Sequence, residues 1–228
     1  MKLLQENRAN RGLEFVPGET ALLVAHWQND VIDESRPFGA MFGPQIRKRG
    51  TLQRMKAAIE AARRAGVHVV YLNVVLDPLP SEKGIYDPLM IAASRTQSMR
   101  KGTRGAAVVD ELTPEPGDPI VEHGKSSGFH ESNLKSLLDQ LGIDTVVIAG
   151  LATNIAVEHT LRDAVQHGYR TILIEDCCYS SSPEYHDASV LTMRVLAADV
   201  ITVDDFIGAL EDGSAVPQAT AQAEISAG

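Results

Sequence analysis

One pattern narrows the possible folds more than any other. Short, almost wholly apolar runs alternate with stretches of helical periodicity. Thr20–His26 (TALLVAH), Val67–Val75 (VHVVYLNVV), Pro119–Glu122, Thr145–Ala149, Thr171–Glu175 and Val200–Val203 read as strands. Thr51–Ala65 puts Leu52, Met55, Ala58, Ile59 and Ala62 on one helical stripe and stops at Gly66. Ser132 opens a helix that ends near Gly142, and Asn154–His167, Pro183–Leu196 and Asp204–Leu210 complete the helical set. Strands without apolar–polar alternation are buried on both faces, so the chain reads as an α/β domain with a parallel sheet covered on both sides. Ligands of such sheets bind at the carboxyl ends of the strands. That rule selects His26–Asp30, Asn73–Asp77, Glu122–His130 and Leu151–Asn154.

At 228 residues and 44% hydrophobic, the chain has enough apolar material for one full core. Its formal charge of -9 provides no basic footprint, which argues against nucleic acid as a partner. No apolar run is long enough to span a bilayer, and residues 1–15 lack the apolar core of a signal peptide. The only cysteines, Cys177 and Cys178, are adjacent and suit neither a bridge nor a zinc site. These features predict a reduced, cytoplasmic protein with no membrane contact. Three parts are expected: a polar arm over 1–19, one domain over 20–210, and a disordered small-residue tail over 211–228. The long connection 76–106 is expected to be functional or partly helical, with a lid as one role open to it.

The segment Gly150–Ala164 (GLATNIAVEHTLRDA) carries the strongest sign of a site. A strand-to-helix turn presents backbone N–H groups and the positive end of a helix to a cleft. Its first helical residues, Ile155, Ala156 and Val157, have no reactive side chain.

Four blocks, ALLVAHWQND (21–30), PIVEHGKSSGFHESNLKSLL (119–138), GLATNIAVEHTLRDAVQHGY (150–169) and EDCCYSSSPEYHDAS (175–189), occur in the order and spacing of a known superfamily. Through them the chain resembles the isochorismatase-like hydrolases, which include nicotinamidases, N-carbamoylsarcosine amidases and isochorismatases. The resemblance implies a doubly wound, mostly parallel six-stranded sheet with helices on both faces, a homo-oligomer (dimer or tetramer), and a small-molecule substrate. It also implies an Asp–Lys–Cys triad. The matching positions here are His26, Lys125 and Ala156, so one member in three is kept. The resemblance further implies a cis peptide between Leu151 and Ala152.

A chain without the thiolate cannot form the family's covalent intermediate. Isochorismatases proper work without the cysteine, by protonating an enol ether. Such a role here falls to His26, as acid or as base, with Lys125 expected to lower its pKa. The expected catalytic pair is therefore His26 and Lys125. Ala156, Leu151, Ala152, Gln28, Phe129 and Trp27 are expected to line the substrate pocket; Trp27, Phe38, Met41 and Phe42 would either close its far side or form a subunit interface. Arg95, Arg100 and Arg104 are candidates for a substrate carboxylate, while Asp77 and His130 could add a converging group. His123 and His130 flank the lysine loop, but the region 73–77 has no histidine, so no catalytic metal and no cofactor is expected. Asp30 is read as a brace of its loop, Arg162 and Asp163 as structural ion-pair residues, and Val190, Leu191 and Val195 as a subunit contact. The predicted function is hydrolysis of a small molecule without a cysteine nucleophile, through His26 and Lys125 on water or an enol ether. The alternatives are an inactive protein that binds a small carbonyl or carboxylate ligand, and an amidohydrolase with alanine substituted for its cysteine. The last would explain Ala156 but not His26.

Overall fold

A computed structural model describes residues 13–78, 87–197 and 199–211. The parts of the expected arm, long connection and tail that fall on 1–12, 79–86 and 212–228 lie outside the described residues. The strands are β1 (Thr20–Ala25), β2 (His68–Val74), β3 (Ile120–His123), β4 (Thr145–Gly150), β5 (Arg170–Ile174) and β6 (Asp199–Ile201). The helices are α1 (Asn29–Ile32), α2 (Pro37–Arg49), α3 (Thr51–Ala65), α4 (Pro88–Thr96), α5 (Leu134–Gln140), α6 (Glu158–Gln166), α7 (Pro183–Leu196) and α8 (Val203–Glu211).

The six strands form one sheet in the order β3-β2-β1-β4-β5-β6, and every neighbouring pair is parallel. Crossovers that run outward in both directions from the centre put helices on both faces. Thus α3 packs against α8, and α6 against α7. The expected doubly wound architecture is the observed one. The central strands β1 and β4 are buried at every residue, which is why their sequences show no alternation. The chain reverses direction across the sheet between them, so a crevice opens at their carboxyl ends, beside His26 and Leu151.

Several boundaries differ from the sequence reading. The helix expected over Asn154–His167 begins as a π-helical turn, Thr153–Val157, before α6 takes over. The connection 76–106 is partly helical, as the sequence allowed: Pro88–Thr96 forms a helix, with the Asp87 side chain accepting from the Leu89 N–H. Helices α1 and α2 had no counterpart in the periodicity. Gly39, Gly43 and Pro44 interrupt α2, and the two glycines press against Asp33 and Glu34, leaving no room for a Cβ. The arm is anchored where described: Phe15 is fully buried and meets Phe206 edge to face at 5.2 Å. No described helix is long and apolar enough to cross a membrane.

Candidate active site

A cavity of about 290 Å³ lies at the predicted crevice. Its apolar wall comes from Val31, Phe38, Phe42, Val74, Leu89, Met90 and Met99, and its floor from Leu151, Ala152, Ile155 and Ala156. The polar groups that line it are His26, Asp87, Lys125, Ser126 and His159.

The floor is the turn after β4. Gly150 has φ 140°, and a Cβ there would collide with the Ala25 carbonyl of the adjacent strand, so only glycine fits. The Leu151–Ala152 peptide is cis, as the resemblance implies. Ala156 follows in the π-helical turn, 2% exposed, with its methyl group where the resemblance puts a thiol.

His26 leaves β1 in the left-handed region, φ 56°, a conformation that costs a non-glycine residue roughly 1 kcal/mol. Its backbone N–H donates to Leu72, and its ring packs against the ring of His123 at the end of β3, centroids 5.0 Å apart. The two Nε2 atoms lie 3.1 Å apart. His123 Nδ1 lies 2.8 Å from the Lys125 carbonyl oxygen. A carbonyl only accepts, so His123 carries its proton on Nδ1 and offers a lone pair at Nε2. His26 must then donate from Nε2, which leaves Nδ1 as its one basic atom. Both rings are buried, at 8% and 3% exposure. Burial, then the neighbouring His123, pushes the His26 pKa well below its ordinary value. Burial likewise lowers His123 to about 4, against a smaller opposing effect of the Lys125 carbonyl. The pair is neutral near pH 7. The cause is desolvation and the second histidine rather than Lys125, the cause expected from sequence.

Lys125 sits on the loop after β3, and α6 pins that loop. Ser127 Oγ donates to Asp163 at 2.5 Å, and the Gly128 N–H donates to Thr160 Oγ1 at 3.0 Å. Ser126 Oγ lies 2.6 Å from His159 Nδ1. The Lys125 ammonium is exposed at the cavity, and among the described residues it enters no ion pair. Asp163 is therefore a loop anchor, while Arg162 pairs with Glu158 rather than with Asp163.

Other expected pocket residues stand elsewhere. Gln28 is fully buried and spends its amide on backbone, donating to Val74 O at 2.8 Å and Ala106 O at 2.7 Å and accepting from the Val74 N–H at 2.9 Å. Asn29 donates to Arg104 O at 3.0 Å, and Asp30 accepts from the Met99 N–H at 2.7 Å. The three residues together clamp the returning segment 97–108, which sets Met99 into the cavity wall. Trp27 is fully buried in the core and contributes nothing to the lining. Phe129 turns away from the cavity and packs against His167 and Tyr169, with centroids 4.9 and 6.1 Å away. Met41 is exposed and outside the lining. Arg104 pairs with Asp110, and Arg100 and Asp77 belong to a separate surface hollow. His130 is exposed beside Glu131 and does not approach His123. Among the described residues no cluster of three or more His, Cys, Asp or Glu is arranged to hold a metal ion.

Three groups at the site were not assigned a site role from sequence: His123 as partner of His26, and Ser126 and His159. Two signals could have found them. His159 lies one helical turn after Ala156 and so shares its face, and His123 lies two residues before Lys125 at a strand end.

The isochorismatase domain model matches residues 20–205, so the chain belongs to the isochorismatase family. It is 34% identical over 214 residues to the ureidoacrylate amidohydrolase RutB of Agrobacterium fabrum, covering 88% of this chain and 93% of that one. Among solved structures it resembles N-carbamoylsarcosine amidase from Thermoplasma acidophilum, with 33% identity, a TM-score of 0.64, and 82% and 97% of the two chains covered. A cysteine hydrolase from Pseudomonas syringae pv. phaseolicola shares the fold at a TM-score of 0.75 and 23% identity, over 89% and 99% of the chains.

Proposed function

We propose that this protein hydrolyses a carbon–nitrogen bond of a small carbamoyl, ureido or amide compound without a cysteine thiolate, the hydrolytic water being activated by His26. The amidohydrolase and amidase names of its relatives support the bond type. One observation carries the mechanism: the chain of hydrogen bonds from the Lys125 carbonyl through His123 to His26, at the edge of a cavity floored by Ala156. That chain fixes His26 with Nδ1 as its free base. His26 Nδ1 takes a proton from water as it attacks the carbonyl carbon. The turn at Ala152–Ala156 floors the cavity where the oxyanion would develop, and Lys125 holds the substrate's carbonyl or carboxylate oxygen. The space left by the missing thiol admits the attacking water. His26 is neutral by reason of its burial, which makes it a poor proton donor to an enol ether, so this site favours base chemistry. We also propose that the protein works as a homo-oligomer, through the α7 face where Leu191 and Val195 are 66% and 60% exposed; Val190 faces the core instead.

The test is turnover, followed by mass spectrometry, on pooled ureidoacrylate, N-carbamoyl amino acids, simple amides and enol ethers. Amide or ureido turnover should disappear in His26→Ala and weaken in Lys125→Ala. Turnover that survives both substitutions would overturn the site assignment. Ligand-induced stabilisation with no turnover would favour the inactive binding protein.

A further inference from the structure

Besides His26, the cavity is lined by a pair of groups suited to proton transfer. Ser126 Oγ and His159 Nδ1 lie 2.6 Å apart, and both line the same cavity as Ala156. We propose that Ser126 is a nucleophile activated by His159, a deepening of the function above that rests on reading this cavity as a hydrolase site.

The arrangement meets the geometric requirement for an activated hydroxyl, a nucleophile within hydrogen-bond reach of a base. Its placement is built rather than incidental. Ser127 is fixed to Asp163 and Gly128 to Thr160, both on α6, and these two bonds already hold the loop. The third bond, from Ser126, is not needed to clip the loop down. It instead brings a hydroxyl to the one histidine of α6 that opens on the cavity. Ser126 is half-buried and His159 exposed, so a substrate can reach both. His123 and His26 spend their facing nitrogens on each other and are separate from this pair.

The chemistry balances without a co-reactant other than water. Ser126 Oγ forms a bond to the substrate's carbonyl carbon, and its proton passes to His159 Nδ1. The tetrahedral adduct collapses with cleavage of the bond to the leaving group, which departs with the proton from His159. Water then attacks the acyl-serine and gives one proton to a histidine base; the bond between Ser126 Oγ and the acyl carbon breaks, and Oγ takes that proton back, which regenerates the hydroxyl and releases the acid.

The experiment uses 4-nitrophenyl acetate, an activated ester small enough for the cavity, with release of nitrophenolate and intact mass read together. The wild type should show a burst and one acetyl group, located on Ser126 by peptide mapping. Ser126→Ala should slow acetylation about 100-fold. His159→Gln, which can still hydrogen-bond but cannot act as a base, should slow it to a similar extent. Ser126→Cys should restore the adduct as a thioester. Thermal unfolding of each variant checks that the fold is intact. Acetylation of Ser126→Ala at the wild-type rate, or an acetyl group mapped to Lys125, would overturn the proposal. The His26 reading is scored separately, on the slow phase after the burst: His26→Ala removes that phase only if His26 activates the water.

Discussion

Two cavities of the molecule handle charge in opposite ways. The larger, about 520 Å³, lies between the start of α3 and α7 and is lined by Arg49, Arg54, Glu175, Asp176 and Arg194. Most of its charges have a partner, although Asp187 also lines it. Arg54 meets Asp176 at 3.4 Å, Arg194 meets Glu175 at 2.6 Å, and Arg49 lies over the Tyr179 ring at 4.4 Å. The smaller cavity is mainly apolar, and burial holds the His26–His123 pair neutral, with a hydrogen bond between the rings that leaves His26 Nδ1 unspent. Size therefore misleads here. A cavity whose ions satisfy one another has little left for a ligand, while convergent basic groups in an apolar wall are the ordinary signature of a reaction site.

The sharpest way to break that contrast is to remove one side chain from each cavity. His26→Ala should reduce kcat/KM by roughly 10²–10⁴-fold, the usual share of a general base, with the fold retained. Arg54→Ala should change kcat/KM by less than about twofold and stability by no more than about 1 kcal/mol, because its ion pair is partly exposed. Equal losses of activity in the two variants would remove the distinction between the cavities.

Acid should then separate them by stability. His26 and His123 have folded-state pKa values below their ordinary value, so they bind protons more readily when unfolded. Their contribution to stability is complete above the unfolded pKa of about 6.5. It is lost as pH falls through the interval down to the folded values, about 4 for His123. For His123 alone the linkage is worth about 3 kcal/mol. Urea midpoints measured between pH 7.5 and pH 4 should fall more steeply for the wild type than for His123→Gln. Parallel curves would mean that the histidine pair is not held neutral.

The strands and the seat of the site were legible because each has a local cause. Continuous apolar runs follow from burial on both faces, and Gly150 marks a turn too tight for any side chain. The histidine pair was not legible. His26 and His123 are 97 positions apart and meet only through the register of β1, β2 and β3. Gln28 misled for the opposite reason: a polar residue at the mouth of a predicted crevice reads as a ligand contact, but its amide is consumed by three backbone groups. Phe129 looked like a wall of the pocket, yet its loop is rotated by the Ser127 and Gly128 bonds to α6, which turns the ring toward Tyr169.

The clamp made by Gln28, Asn29 and Asp30 gives a smaller effect that still reaches the cavity. A Cβ on Gly105 would collide with the Asp30 carboxylate. Gly105→Ala should destabilise by about 1–3 kcal/mol, the usual cost of overpacking. Because Asp30 also holds the Met99 N–H, the cavity wall should loosen, and KM should rise more than kcat falls. Thermal unfolding and steady-state kinetics on the same preparation check both parts.

The smallest expected effect on the folded chain is at an exposed position of α7. Leu191 stands 66% exposed on α7, so a charged replacement removes little buried surface from a single chain. Leu191→Glu should leave the stability of one chain within about 0.5 kcal/mol. Its consequence is collective: if the α7 face is buried in a second copy, a carboxylate there meets its own symmetry mate or loses its water on association, and assembly weakens. Light scattering coupled to gel filtration should show an oligomer for the wild type and a monomer for Leu191→Glu at the same concentration. Leu191 also lines the larger cavity, so the same variant asks whether that cavity's paired charges belong to an assembly surface rather than to a site. An unchanged oligomer would detach α7 from assembly and leave the larger cavity as a solvent-facing cluster of ion pairs.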